Sequence, residues 1–196
     1  MEKIRSILQA SIDTKQRIGN DPKLIERIEQ SARSICHAFE NKKRLYLCGN
    51  GGSAADAQHL AAEFSGRFYT DRKALPAEAL HTNSSYLTAV ANHYSYDVIY
   101  ARLIEGITQP GDVLIGLSTS GNSANVVKAF EAARKSGVIT IGFTGEQGGQ
   151  MRELSDHWLG VPSNDTPRIQ EAHITVGHII CQLVEEWIFQ EQQSIG

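Results

Sequence analysis

Leu45-Tyr46-Leu47-Cys48-Gly49-Asn50-Gly51-Gly52-Ser53 is the stretch that decides the fold. Its first four residues are apolar without alternation and too few for a helix, so they read as a strand covered on both faces. Gly49 to Ser53 then turns the chain into a helical pattern, Ala54 to Phe68. The same order returns at Val113 to Leu117, where Ser118-Thr119-Ser120-Gly121-Asn122-Ser123 leads into a helix from Ser123 to Ser136. A third apolar run spans Val138 to Phe143, and shorter strands are expected at Ala77 to Leu80 and Trp158 to Val161. Further helices are expected at Ser85 to Asn92, Tyr96 to Glu105 and Pro167 to Gln190. Upstream, Leu24, Ile28, Ala32, Ile35, Cys36 and Phe39 share one helical face behind the start signal Asn20-Asp21-Pro22, and Ile4, Ile7, Leu8 and Ile12 have the same spacing. Strands alternating with helices predict an α/β chain, a three-layer α/β/α sandwich on a mostly parallel sheet. Residues 1–40 are expected to form an N-terminal helical arm used in oligomer packing, and residues 41–196 the α/β unit.

Composition narrows the function. The 196 residues suit one domain, and 41% hydrophobic residues with 17 glycines bring the apolar share to about half, the usual globular value. Lys and Arg total 19 against 22 Asp and Glu, a net charge of −3, with no basic cluster to neutralise a run of phosphates. Nucleic acid is therefore excluded as the main ligand. No apolar stretch approaches the roughly 18 residues of a membrane helix, and the charged N-terminus does not follow a signal-peptide plan. A soluble, cytoplasmic chain is expected. Cys36, Cys48 and Cys181 are odd in number and sit in apolar segments, which predicts buried, reduced thiols.

In a parallel sheet, ligands sit beyond the carboxyl ends of the strands. Both turns quoted above occupy that position and open a helix, where free N–H groups and the helix dipole favour an anion. The second adds the hydroxyls of Ser118, Thr119, Ser120 and Ser123 but no Lys or Arg. It lacks the Gly-Lys-Ser/Thr ending of a nucleotide-triphosphate loop, so a single phosphate monoester held by neutral donors is the ligand it suits. Gly49, Gly51 and Ala54 also match the dinucleotide spacing G-x-G-x-x-A, but the acidic residue expected at the end of the next strand is missing near Leu80 and His81. Turn and cap chemistry remains an alternative for either loop alone.

His59 and Glu63 are four apart and share a helical face, extended by Asp56 and Arg67, with Ala57, Leu60, Ala61, Phe64 and Phe68 on the other side. Imidazole plus carboxylate at that spacing suits zinc, as it also suits an ordinary solvated helix face. On the last helix, His173 and His178 are about 140° apart and cannot easily share a ligand. Glu171 lies about 20° and Gln170 about 80° from His178, so spacing alone favours Glu171 as its companion. His93 is placed in a loop with Asn92 and Tyr94; His37 and His157 have no evident constellation; Arg168 either neutralises a phosphate or caps a helix.

Taken together, Cys-Gly-Asn-Gly-Gly-Ser-Ala-Ala-Asp-Ala-Gln-His at 48–59, Ala-Ala-Glu-Phe at 61–64, Ser-Thr-Ser-Gly-Asn-Ser-Ala-Asn-Val at 118–126, Thr-Gly at 144–145 with Gly-Gly at 148–149, and Thr-Pro-Arg-Ile-Gln-Glu-Ala-His-Ile at 166–174 closely resemble the sedoheptulose-7-phosphate isomerases of the sugar-isomerase (SIS) domain superfamily. The resemblance implies an SIS domain over 41–196, a homotetramer with active sites between subunits, and an aldose–ketose isomerisation of a sugar phosphate. It implies one zinc ion per subunit on His59, Glu63, Gln170 and His178, preferring Gln170 to Glu171, and substrate contacts at Asn50, Gly51, Gly52, Glu63, Asn92, Ser118, Thr119, Ser120, Ser123 and Gln170; Ser53 and His93, beside them in the chain, are added as candidate contacts. Glu63 is then the base and His178 the opposing acid or base. A related scaffold that binds a replication initiator lacks the matching carboxylate and final histidine; both are present here, and a sugar-phosphate sensor is the other alternative. The chain departs from the family at His93 and Asn83, where acidic residues are common.

Overall fold

The computed structural model describes residues 1–190. Strands β1 (Leu45–Gly49), β2 (Ala77–Ala79), β3 (Val113–Leu117), β4 (Ile139–Thr144) and β5 (His157–Gly160) form one sheet in the order β2-β1-β3-β4-β5. Every neighbouring pair is parallel. The apolar runs lack alternation because both faces are covered: Leu45 and Leu47 enter one buried cluster, Tyr46 and Cys48 the other. Helices α2 (Pro22–Glu40), α3 (Gly52–Ser65) and α8 (Thr166–Glu185) cover the first face. Helices α4 (Ser84–His93), α5 (Ile99–Ile107) and α6 (Ala124–Lys135), with the one-turn α7 (Met151–Leu154), cover the second. This is the expected three-layer α/β/α sandwich.

Asp21 starts α2 by accepting the N–H groups of Lys23 and Leu24, with Pro22 in the first turn where its missing N–H costs nothing. Leu24, Ile28, Ala32 and Ile35 then bury in the same cluster as the sheet, so α2 belongs to the layer. By contrast α1 (Glu2–Gly19) buries only Thr14 and Ile18 and leaves Ile4, Ile7, Leu8 and Ile12 exposed. On the opposite face a Cβ at Gly116 would lie 2.2 Å from the Phe130 ring, so the absent side chain is what lets α6 settle on β3.

Several element ends move from their expected places. β2 stops at Ala79, leaving His81 in the turn beyond it. α3 begins at Gly52 and ends at Ser65, so Phe68 is not on its apolar face and follows the helix as a separate contact. The expected Tyr96–Glu105 helix divides into a 3-10 turn, Tyr96–Val98, and α5, with the Ser95 hydroxyl capping the turn at Asp97 N. His93 is the last residue of α4 rather than a loop residue, and Asn83 is its N-cap, accepting Tyr86 N–H at 3.0 Å. Capping needs only a side-chain oxygen, which Asn supplies as well as an acid does. α8 ends at Glu185, and Glu186–Gln190 winds on with wider π spacing.

Candidate active site

β1 and β3 are neighbours in the sheet although β2 lies between them in sequence, so the connections diverge at this point and leave a crevice above the strand ends. Gly49 pairs in register with Leu117, which starts the two ligand turns level with each other. A reciprocal amide pair ties them: Asn50 Nδ2 donates to Asn125 Oδ1 at 2.8 Å and Asn125 Nδ2 to Asn50 Oδ1 at 2.9 Å. The Tyr96 hydroxyl donates to Asn50 Oδ1 at 3.2 Å, and the buried Tyr100 hydroxyl donates to the Gly49 carbonyl at 2.5 Å. Both tyrosines thereby fix the first turn. Asn125 was not singled out, although a second amide two residues after Ser123 was the available signal.

In the second turn, Ser118 Oγ lies 2.9 Å from Ser123 Oγ and 3.4 Å from Ser120 Oγ, so three hydroxyls converge. Among the described residues the N–H groups of Thr119, Ser120 and Ser123 find no acceptor. Gly121 has φ +67°, and a Cβ there would sit 1.9 Å from the Gly148 carbonyl oxygen, so both backbone angle and space demand glycine. Behind the turn, Asn122 Oδ1 accepts Gln150 N–H at 3.0 Å. A cavity of about 340 Å³ opens against Thr119, Ser120 and Asn122. The result is a cradle of neutral donors in which no Lys or Arg takes part, and Glu146 also lines the cavity against it.

Farther along, about 10 Å from its start at Gly52, α3 meets α8. His59 Nε2 is 3.0 Å from Glu63 Oε1, one helical turn away, and His178 Nε2 is 3.3 Å from His59 Nε2. One ligand atom from each of the three lies within 4.8 Å of the others. Four bonds of about 2.0–2.1 Å in a tetrahedron place donors about 3.3 Å apart, so the two imidazoles and the carboxylate fit zinc in number, chemistry and spacing. Gly177 makes the approach possible: a Cβ there would lie 2.6 Å from the buried Leu60 side chain. The Phe68 ring is 5.5 Å from that of His178. Asp56 also borders the cluster; burial pushes its carboxyl up, while His59 and His178 pull it down in part.

Gln170 sits in the first turns of α8 against Gly52, where a Cβ would be 2.8 Å from its Nε2. It therefore stands between the cradle and the triad, about 12 Å along the axis from His178, and among the described residues no hydrogen bond joins it to the three. Glu171, which spacing alone favoured, is corrected: its Oε1 accepts Arg168 Nη2 at 2.5 Å, and Arg168 reaches the Ile7 carbonyl of α1. Burial would raise the Glu171 carboxyl, but hydrogen bonds from Ser11 and Arg168 and the positive charges of Arg168 and Lys15 hold it below the ordinary range. His173 is fully buried with Nε2 3.1 Å from the Thr144 carbonyl, and burial lowers its pKa to about 4. His157, which had no evident constellation, approaches Ser34 Oγ at 2.8 Å, at the opposite end of the sheet. Asn92 and His93 are exposed and make no side-chain hydrogen bond among the described residues. All three cysteines are buried and, among the described residues, form no disulfide.

The SIS domain family model matches residues 11–145, so the fold and its crevice are those of an SIS-domain protein. The chain is 49% identical over 189 residues to the phosphoheptose isomerase of Aneurinibacillus thermoaerophilus, covering 96% of both chains. It is 50% identical to that of Clostridium acetobutylicum, again covering 96% of each. The solved phosphoheptose isomerase of Neisseria gonorrhoeae superposes with a TM-score of 0.89 at 39% identity, covering 94% of this chain and 98% of that one. The chain belongs to the phosphoheptose isomerase family and is an isomerase. Among the described residues no helix is long and apolar enough to cross a membrane.

Proposed function

We propose that the chain interconverts D-sedoheptulose 7-phosphate and D-glycero-D-manno-heptose 7-phosphate through an enediol. The observation that carries this reading is the meeting of Glu63 and His178, from separate helices, along the helix that starts beside the Ser118–Ser123 turn. From Gly52 to His59 is seven residues of helix, about 10 Å, a span that suits an extended sugar phosphate. The hydroxyls of Ser118, Ser120 and Ser123, with the free N–H groups of that turn and of Gly51 and Gly52, take the phosphate. Asn50, Ser53, Thr119, Gln170, Asn92 and His93 are the remaining substrate contacts of this reading. Binding at the remote phosphate thereby positions the reacting carbons.

Glu63 turns Oε1 to His59, while Oε2 has no hydrogen-bond partner among the described residues and is free to take a proton. It removes the proton from C1 of the ketose, leaving the enediol, and the proton is returned at C2 as the carbonyl forms at C1. His178 moves the proton between the two sugar oxygens. Each transfer assisted in this way is worth roughly 10² to 10⁴ in rate. His59, Glu63 and His178 would hold zinc, one ion per subunit, which supplies Lewis-acid polarisation of the carbonyl; Gln170, about 12 Å along α8 from His178, does not fit as a fourth donor within one subunit.

The exposed Ile4, Ile7, Leu8 and Ile12 of α1, with an apolar groove of about 320 Å³ lined by Ile18, Ile25, Ile28 and Ile179, support a homotetramer in which α1 alone, rather than the whole of residues 1–40, acts as the packing arm, since α2 is part of the sandwich. A cytoplasmic location and a product entering ADP-heptose-type nucleotide sugar synthesis, for lipopolysaccharide, another glycan or a signalling sugar, complete the proposal. The initiator-binding scaffold and the sensor are disfavoured by the presence of Glu63 and His178. Incubation of sedoheptulose 7-phosphate in deuterium oxide tests the reading. NMR should show deuterium entering at C1, lost on chelation and restored by zinc; binding without exchange would sink it. Native mass measurement tests the tetramer.

A further inference from the structure

Glu185, the last residue of α8, is a carboxylate only 2% exposed. Its two oxygens take four donors. Oε1 accepts the N–H groups of Tyr69 and Thr70, both at 2.9 Å, and Oε2 accepts Phe68 N–H at 3.2 Å and Arg72 Nε at 2.8 Å. Arg72, equally buried, turns its remaining donors back onto the end of α3. Nη2 reaches the Glu63 carbonyl at 2.8 Å, and Nη1 the carbonyls of Phe64 at 2.8 Å and Gly66 at 3.2 Å. These are final carbonyls of a helix, which have no partner within it and face a favourable dipole for a cation. Burial would push the Glu185 carboxyl up, but the three N–H groups and Arg72 hold it below the usual range, so the pair stays charged.

Desolvating two charges is expensive, and packed apolar side chains would stabilise the join as well or better. What apolar residues would not supply is direction. The clamp fastens the end of the helix carrying Glu63 to the end of the helix carrying His178, and by fixing Phe68 N–H it sets the ring that lies 5.5 Å from the His178 ring. We propose that Arg72 and Glu185 are positioning residues for the isomerisation, holding α3, α8 and Phe68 so that Glu63 and His178 face one substrate. This rests on the assignment of those two residues above.

The test uses the full chain carrying Glu185→Gln, Arg72→Lys or Glu63→Gln. Outer contacts of this kind are worth about 10–100-fold in activity or metal affinity. Glu185→Gln and Arg72→Lys should each lower kcat by that range with KM for sedoheptulose 7-phosphate within threefold, and should weaken zinc binding, read by chelator competition, by a similar factor. A purely structural clamp would instead lower the melting temperature and the number of competent sites, leaving zinc affinity and kcat per occupied site unchanged. Should Glu185→Gln fail to fold, Arg72→Lys, which keeps the charge and loses the fork, carries the test. Loss of turnover in Glu63→Gln with wild-type kcat in the clamp variants overturns the clamp alone. Full turnover in Glu63→Gln overturns the site assignment and the clamp's purpose with it.

Discussion

The two ends of the crevice are built in opposite ways. The cradle is local: its hydroxyls all fall between Ser118 and Ser123, and its shape comes from one turn, one glycine at positive φ and one amide pair. The triad is distant in sequence: His59 and Glu63 are one turn apart, but His178 arrives from a helix more than a hundred residues later. On the proposed function, the binding end has several donors and can lose a part, whereas the chemical end depends on each side chain and on how two helices meet. That contrast predicts where substitutions cost most.

Glu63→Gln is the sharpest test of it. The amide keeps the size of the side chain and takes away the base, so kcat should fall by about 10² to 10⁴ while the fold persists. Retention of most of the activity would mean that the proton is taken elsewhere and that the two ends do not differ in kind.

The next effect concerns the peg between the ends. His173 holds α8 to the end of β4 through the Thr144 carbonyl, with its pKa lowered from 6.5 to about 4 by burial. Above pH 6.5 the ring is neutral in both states and costs nothing. As pH falls below 6.5 the unfolded chain takes up a proton that the folded one refuses, so stability drops until about pH 4. At 1.36 kcal/mol per unit the loss approaches about 3 kcal/mol. Denaturant unfolding at a series of pH values should show this slope, and His173→Gln should flatten it. An unchanged slope would remove His173 as its source.

Gly177→Ala probes the joint itself. The new methyl would meet the buried Leu60 side chain at 2.6 Å, and overpacking of this kind costs about 1–3 kcal/mol. The melting temperature should fall by several degrees and zinc affinity with it, because the same displacement moves His178 from His59. Weaker folding with unaltered metal binding would show that the triad tolerates a looser joint.

This contrast also explains what could be read in advance. The turns after β1 and β3, the sheet they imply and the His59–Glu63 face are properties of short spacings, and they were legible. Asn125 and Gly177 act only through a partner brought near by folding, Leu60 for Gly177 and Asn50 for Asn125, so spacing along the chain could not reveal them. Glu171 misled for the same reason: its angle around α8 is right for His178, but its neighbour in space is Arg168. Phe68 looked like part of a helical face until α3 ended at Ser65; Gly66 caps that end, and Arg72, from beyond the helix, takes the Glu63 and Phe64 carbonyls it leaves over.

The smallest expected effect falls at the cradle, and its form matters more than its size. Ser118→Ala removes the hydroxyl through which Ser120 and Ser123 are joined, but leaves both of those hydroxyls and the backbone N–H donors of the turn. A hydrogen bond of this kind is worth about 0.5–1.5 kcal/mol, or about 2- to 10-fold. If the cradle grips the phosphate equally in the ground and transition states, the whole change should appear in KM, with kcat unaltered. A matching fall in kcat would instead mean that the cradle tightens as the reaction proceeds, and binding and chemistry could no longer be assigned to separate ends of the crevice.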